Sequence, residues 1–466
     1  MTESADFPMG LPAHGEVAGL LETLAREYLV PGVQFAVYDR GEITTFTYGE
    51  ETRGSGRPVT ADTVFPWGSV TKSATALLLA QLVSDGDVEL DEPVGPLLPE
   101  LARTPDSPLH TATLRGLLSH TAGLPDMPPV EDDLSLRDCV AASAGAAALC
   151  EPGRLFSYSN LGYVLAGRIL EAVTGVTWWE AVRDFALSPL GVAAGFLGAT
   201  SPGPVAGQHA VHLPTGSVHV VDEPGLPKAL VPAGALTSSA AGLLRYAEVH
   251  LAADGTAVLE PRLLAELRTP VPGSQAFGLA DGWGLGLAVH TDGEGRRWLG
   301  HDGNTGGASC ALRLDPERRI AVALMANATS GRQMGNAFFE ALAAKGWDIG
   351  RHREPELGSP LSGDALTAVA DEVCGVYRAG ADLHTVRRSG GDGELLLERG
   401  GLVPVRLEIH QGLEFRLKSG AAEGGHGSDE SKDLYRFVRD SRTGQVGGMY
   451  MSGGRLQVRE GIGLLG

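Results

Sequence analysis

Cysteine, lysine and asparagine are scarce in this 466-residue chain, and so are long apolar runs. The 4 cysteines, Cys139, Cys150, Cys310 and Cys374, lie far apart with no C-x-x-C pair. A chain of this length needs no disulfide staples, so they read as reduced and structural. No stretch of ~18 consecutive apolar residues occurs, which leaves no candidate for a membrane-spanning helix. Cations are outnumbered as well, with 37 Lys+Arg against 57 Asp+Glu and a formal charge of −20. Such a chain is repelled by phosphate backbones and anionic lipid surfaces, so neither nucleic acid nor membrane is expected as a partner. The opening MTESADFPMGLPAHGEV has no Lys or Arg, and the first is Arg26, unlike the cationic start of a secretory signal. The expectation is a soluble, cytoplasmic protein.

What is present points to two units. A single core stops growing beyond roughly 250–300 residues, so 466 residues make one large domain or two ordinary ones. Leu20, Leu21, Leu24 and Tyr28 recur at helical spacing; VQFAVYD and ITTFTYG then read as strands about a turn at Arg40-Gly41. Near residue 315, SCALRLDPERRIAVALMANA reads as two strands joined at an Asp-Pro turn, followed by the helix NAFFEALAAKGW. Strands from both ends of this block predict an α/β domain with an antiparallel sheet flanked by helices, with helical and loop material from about 68 to 284 between them. After Trp347, DIGRHREPELGSPLSG is polar, proline-bearing and aperiodic. Beyond it, Val403, Val405, Leu407 and Ile409 alternate with other residues, and EFRLK, LYRFVRD, VGGMYM and RLQVRE follow as short strands suited to a small antiparallel barrel. SGAAEGGHGSDESKD within it reads as a loop. The expected boundaries are a first domain over 1–347, a linker over 348–363 and a barrel over 364–466.

Chemistry is carried by a few unusual residues. Lys72, one of only five lysines, opens the apolar helix GSVTKSATALLLAQLVSDG. A buried lysine can shed its proton, which arginine cannot. Ser69 stands three residues earlier on the same helical side, near backbone N–H groups that favour an oxyanion. By composition alone, an S-x-x-K somewhere in the chain has a chance of roughly one in three. Tyr158-Ser159-Asn160 is rarer, about one such chain in 13; its bland reading is a buried tyrosine before a helix-capping Asn160, its functional one a phenol beside Lys72 with an amide that holds substrate. His301-Asp302-Gly303 carries almost no weight alone, since H-x-G is expected about 1.8 times by chance and recurs at His410-Gln411-Gly412. Its glycine-rich context would let a ligand lie against the backbone. No G-x-S-x-G elbow or P-loop is found, GWGLGL lacks the strand-to-helix context of a dinucleotide site, and His209, His212 and His219 lack the acidic or cysteine partners of a zinc site.

In this order and with these flanks, S-V-T-K at 69–72, Y-S-N at 158–160 and H-D-G at 301–303 resemble the three motifs of the penicillin-recognising serine enzymes: penicillin-binding proteins, class C β-lactamases, D-aminopeptidases and their esterase relatives. TLRGLLSHTAGLP at 113–125, PAGALTSSAAGL at 232–243 and GWGLGL at 282–287 are similar too, and the likeness runs over about 1–347. It implies a serine β-lactamase/transpeptidase-like fold and an acyl-enzyme. Ser69 would be the nucleophile, Lys72 would ease its deprotonation, and Tyr158 would be the base that returns the proton to the leaving group. Asn160 would hold the acyl side-chain amide, with Asp302 and Gly303 helping to orient substrate. His301 would assist proton transfer, and the backbone N–H groups of Ser69 and Asn304 would form the oxyanion hole. No cofactor or metal is implied.

The β-lactamases of this fold carry lysine where this chain has His301, which turns the expectation toward peptidases, esterases and acyltransferases. One added barrel resembles the penicillin-binding-protein type of thioesterase, with a lipocalin-like second domain, which releases and macrocyclises nonribosomal peptides ending in a D-residue. The expected partner is then a peptide substrate, presented by a carrier protein. A D-amino-acid peptidase, carboxypeptidase-like enzyme or esterase is the alternative, and a non-catalytic binding module of this fold the minor one. Arg455 or Arg459 would reach the pocket to bind a peptide carboxylate, while the plainer reading makes both solvated strand residues.

Overall fold

Both ends of the first block meet in one sheet. The computed structural model describes residues 12–199, 201–222, 225–252, 256, 258–389, 394–418, 434–451 and 453–464. In chain order the block holds α1 (His14–Glu27), β1 (Gly32–Asp39), β2 (Glu42–Gly49), α2 (Thr71–Asp85), α3 (Asn160–Thr174), β3 (Gly282–Trp283), β4 (Ala288–Thr291), β5 (Arg297–Asn304), β6 (Ser309–Asp315), β7 (Ile320–Ala326) and α4 (Gly331–Ala344), with shorter elements between them. The sheet is antiparallel in the order β2-β1-β7-β6-β5-β4-β3.

Local chemistry explains the ends of these elements. β1 and β2 pair Asp39 with Glu42, so the hairpin loop is Arg40-Gly41, with φ of 49° and 107°, the left-handed pair that a two-residue loop demands. β7 is buried along its whole length because sheet neighbours flank it and helices cover it. On one face, Val17 and Leu21 of α1 pack with Phe35 of β1 and with Phe338 and Leu342 of α4. On the other face lies the larger core, where α2 runs buried on nearly every side against Tyr163, Leu165, Trp178 and Tyr246. An apolar helix without a polar face is what a position inside such a layer requires. α2 and α3 both end on a left-handed glycine, Gly86 and Gly175. The cap of α3 is Ser159, whose hydroxyl accepts the Gly162 N–H; Asn160, read above as a capping residue, is already the first helical position.

The second unit opens with a helix that the strand pattern does not announce. α5 (Gly363–Val373) precedes β8 (Gly375–Ala379), β9 (Asp382–Arg388), β10 (Leu395–Arg399), β11 (Val405–Ile409), β12 (Glu414–Lys418), β13 (Tyr435–Arg439), β14 (Val446–Met451) and β15 (Arg455–Arg459). These eight strands close, with β15 returning to β8. Side chains including Tyr377, Phe415 and Phe437 fill the interior, and Ala370 and Val373 of α5 join the same core. The loop expected over 419–433 lies outside the described residues.

Arg459 does not reach the pocket. Its guanidinium donates to the backbone carbonyls of Glu372, Cys374 and Val446, tying the end of α5 to two strands of the barrel. The four cysteines are free thiols. Among the described residues, no helix is long and apolar enough to cross a membrane and no His/Cys/Asp/Glu group is arranged to hold a metal. His209 is held between the Asn327 carbonyl and the Arg53 N–H, which is a structural role. Replacing Arg459 by Met strands three carbonyls and is expected to cost about 1–3 kcal/mol. Thermal unfolding will show the drop, while turnover of any acyl substrate stays as in the parent chain.

Candidate active site

Ser69 occupies a single 3₁₀ turn, Gly68–Val70, that runs straight into α2. The turn is fastened from behind, as Trp67 Nε1 donates to Ser238 Oγ at 2.7 Å and the Leu236 N–H to Thr71 Oγ1 at 3.1 Å. Lys72 lies one helical turn on, with its Nζ 3.1 Å from Ser69 Oγ and 2.9 Å from the Ala233 carbonyl. The amine is fully buried, facing the Tyr158 and Tyr163 rings at 5.1 and 5.4 Å. Burial pushes its pKa down to about 7, with Asp126 opposing and Arg455 assisting. Near neutral pH much of this lysine therefore has a lone pair beside the serine.

Tyr158 is buried too, which raises its phenol above the ordinary value; a hydrogen bond with Ser69 and the Arg455 charge pull it back only in part. The resting phenol is protonated. Of the two groups beside Ser69, the amine is the one whose electrostatics suit accepting a proton, and the protonated Tyr158 phenol is suited to donate one.

β5 closes on the turn through glycines. A Cβ on Gly303 would sit 1.9 Å from the Trp67 carbonyl oxygen and 3.0 Å from Ser69 N; one on Gly68, at φ +53°, would sit 2.8 Å from Asn304 N. Gly303 thus gives clearance between the two backbones. Thr305 N–H bonds the Ala308 carbonyl, so residues 305 and 308 form a hydrogen-bonded pair and the neighbouring 304/309 pair does not. By that alternation the Asn304 N–H points away from β6, toward the Ser69 turn, whose backbone lies against Gly303 and Asn304.

Neighbouring residues on β5 face opposite ways. The ring of His301 packs edge-on to Trp283 at 5.0 Å and lies 6.2 Å from Tyr158. Its Nδ1 lies 2.7 Å from the Asp302 carbonyl, which can only accept, so Nδ1 carries the proton. Burial lowers its pKa to about 3, which leaves Nε2 a bare acceptor without a partner among the described residues. The Asp302 carboxylate is on the α4 side of the sheet, 2.6 Å from the buried Arg313. It does not orient substrate; its backbone orients His301.

Three further residues belong to this site and escape motif counting. The His120 ring lies tilted, 4.3 Å from that of Tyr158, and accepts the Ser159 N–H on Nδ1. Its pKa is pushed well down by burial, so its proton sits on Nε2. Asp126 accepts the Asn160 and Met127 N–H groups, at 2.7 and 2.8 Å. Trp283 closes the aromatic nest. His120 and Trp283 lie inside flanking segments quoted above, which is the signal that would have found them. Arg455 arrives from the barrel: it pairs with Asp126 at 2.5 Å and its guanidinium carbon lies 5.2 Å over the Tyr158 ring. Beside that pair, a cavity of about 230 Å³ runs between Asp126, Met127, Pro128 and Ser157 on one side and Asp382, Arg455 and Gln457 on the other.

Comparison with known proteins gives a consistent picture. The beta-lactamase family model matches residues 17–345. Penicillin-binding protein 4 of Amycolatopsis lactamdurans is 33% identical over 360 residues, covering 73% of this chain and 91% of its own. The crystal structure of SurE superposes with a TM-score of 0.80 at 38% identity, over 96% of this chain and 98% of that one, and SurE has also been solved with D-Leu. A D-amino acid amidase from Ochrobactrum anthropi matches at TM-score 0.60 and 25% identity, over 72% of this chain and 99% of that one.

With Lys72 at about 7, acylation of Ser69 is expected to accelerate as pH rises through neutrality, because the neutral amine is the competent form. Rapid-mixing rates with a chromogenic ester between pH 5 and 9 will trace that limb. Lys72→Arg, which cannot deprotonate, should lose about a hundredfold or more. In Gly303→Ala the added methyl collides with the Trp67 carbonyl, so the same assay should show loss of acylation from a chain that still folds.

Proposed function

Because the chain belongs to the beta-lactamase family, we propose that it is a serine acyl-transfer enzyme acting on peptidyl esters or thioesters that end in a D-configured residue. The observation that carries this reading is the buried Lys72 amine 3.1 Å from Ser69 Oγ. Lys72 takes the serine proton as Oγ attacks the acyl carbonyl carbon. The oxyanion that forms is met by the Ser69 and Asn304 N–H groups. Tyr158 gives its proton to the leaving thiolate or alkoxide and recovers one from Lys72, leaving an acyl-Ser69 ester. The Asn160 amide and Arg455, at the mouth of the interdomain cavity, hold the peptide. An O–H or N–H of the incoming acceptor is steadied by the His301 Nε2 lone pair, and the proton it loses returns through Tyr158 to Ser69.

Preference for a D-residue is supported by the likeness to SurE, solved with D-Leu, and to a D-amino acid amidase. The acceptor we assign is the peptide's own amine, which gives a ring, since a catalytic domain with one closed barrel is the layout of the thioesterases that the motifs resemble. In that role a carrier protein presents the acyl chain. The second reading, a D-stereoselective peptidase or amidase with water as acceptor, is favoured by the amidase likeness, which covers 99% of the amidase with 72% of this chain.

A peptidyl thioester surrogate ending in a D-residue and its L-epimer separate the two in one experiment read by mass spectrometry. A product one water lighter than the linear acid, from the D-epimer alone, is expected. The linear acid alone selects the hydrolytic reading, and product from Ser69→Ala removes both.

A further inference from the structure

The segment that delivers Tyr158 has no regular structure of its own, and its buried backbone is satisfied from outside. On one side is the His120 loop, whose carbonyl accepts the Ser157 N–H at 2.8 Å. On the other is the barrel, which holds three residues in succession. The Tyr450 hydroxyl donates to the Phe156 carbonyl at 2.9 Å, the Leu456 N–H to Ser157 Oγ at 3.3 Å, and the Tyr158 N–H to the Gly454 carbonyl at 3.1 Å. Phe156, Ser157 and Tyr158 are all buried, so a lost partner there is not replaced by water.

Around these bonds the surfaces are shaped to meet. Leu149 and Cys150 pack with Tyr450, Leu456 and Leu464 in one apolar cluster, and Phe277 stacks on Tyr450 at 5.8 Å. Gly454 is held at φ +67°, where a Cβ would lie 2.9 Å from Leu279 Cδ1 and 3.1 Å from Phe156 Cε1. Only glycine lets the barrel backbone come this close. Arg455 stands between the two bracing residues Gly454 and Leu456, so the brace that positions Tyr158 also positions the cation over its ring.

We propose that Tyr450, Gly454 and Leu456 of the barrel are positioning residues of the catalytic centre, which set the Tyr158 phenol against Ser69 and Lys72 through the backbone of residues 156–158. The barrel is then a working part of acyl transfer and not an appended binding module. This rests on the acyl-transfer reading above. It gives the brace a kinetic signature that general destabilisation lacks. Arg455 disfavours the charged form of Lys72, so a slackened brace moves that cation away and shifts the acid limb of the rate profile to higher pH.

The test uses the full chain, with Tyr450→Phe and Gly454→Ala, and a chromogenic D-aminoacyl ester that acylates Ser69. Expected are an acylation kcat about tenfold lower or more in both variants, with KM within about twofold in Tyr450→Phe, where Arg455 keeps its place, and in Gly454→Ala an upward shift of the acid limb. Arg459→Met, a barrel residue remote from residues 156–158, serves as the control that loses stability without losing kcat. If Gly454→Ala does not fold, Ser157→Ala, which removes only the acceptor for Leu456, takes its place. Folded variants that acylate at the parent rate with the parent pH profile overturn the brace. A parent chain whose Ser69 is not acylated at all overturns the acyl-transfer reading itself.

Discussion

An amine taken out of water must either find a counter-charge or give up its proton, and burial pushes Lys72 toward the second. Its polar contacts among the described residues are a hydroxyl and a carbonyl, and two tyrosine rings complete the enclosure. Desolvation of a cation with neutral partners favours the neutral form, which is what a base beside a nucleophile needs. The surroundings of α2 make sense on those terms: a helix buried on nearly every side, placed inside a layer, is the scaffold on which a lysine stays dry.

The same constraint asks that the oxyanion donors approach without bringing bulk or water. Gly68 and Gly303 meet this by omission, since any side chain on either would push β5 off the serine turn. β5 is held by β4 and β6, and that sheet is completed by strands from the first fifty residues. The position of one backbone N–H thus depends on pairings between parts of the chain almost three hundred residues apart, such as Phe35 with Leu324. Charge is arranged with equal economy, since Asp126 neutralises Arg455 while the two pull the Lys72 amine in opposite directions.

Much of this is legible in the amino-acid sequence. The Arg40-Gly41 hairpin, the strands flanking Asp315-Pro316, α1 and the buried character of α2 are written in local periodicity and turn chemistry, which act over a few residues. The order of S-V-T-K, Y-S-N and H-D-G, with their flanks, points to the family where no single motif can. Less visible is α5, where Leu366, Val369, Ala370 and Val373 keep a helical spacing close to a proline-bearing stretch that reads as linker. Ser159 and Asn160 are adjacent polar residues, and composition does not say which one caps the helix.

Arg455 and Arg459 mark the division most sharply. They lie on one strand at the same parity, and the sequence treats them alike; one reaches over the Tyr158 ring and the other ties the end of α5 to the barrel through three carbonyls. Asp302 likewise lies beside His301 in the motif yet on the opposite face of the sheet. By itself the sequence determined most of the elements and the family, and it named the candidate side chains, because residue type and short-range spacing encode them. Which polar groups share a site was decided by tertiary structure alone, because burial and the meeting of two domains depend on residues that the chain separates by hundreds of positions.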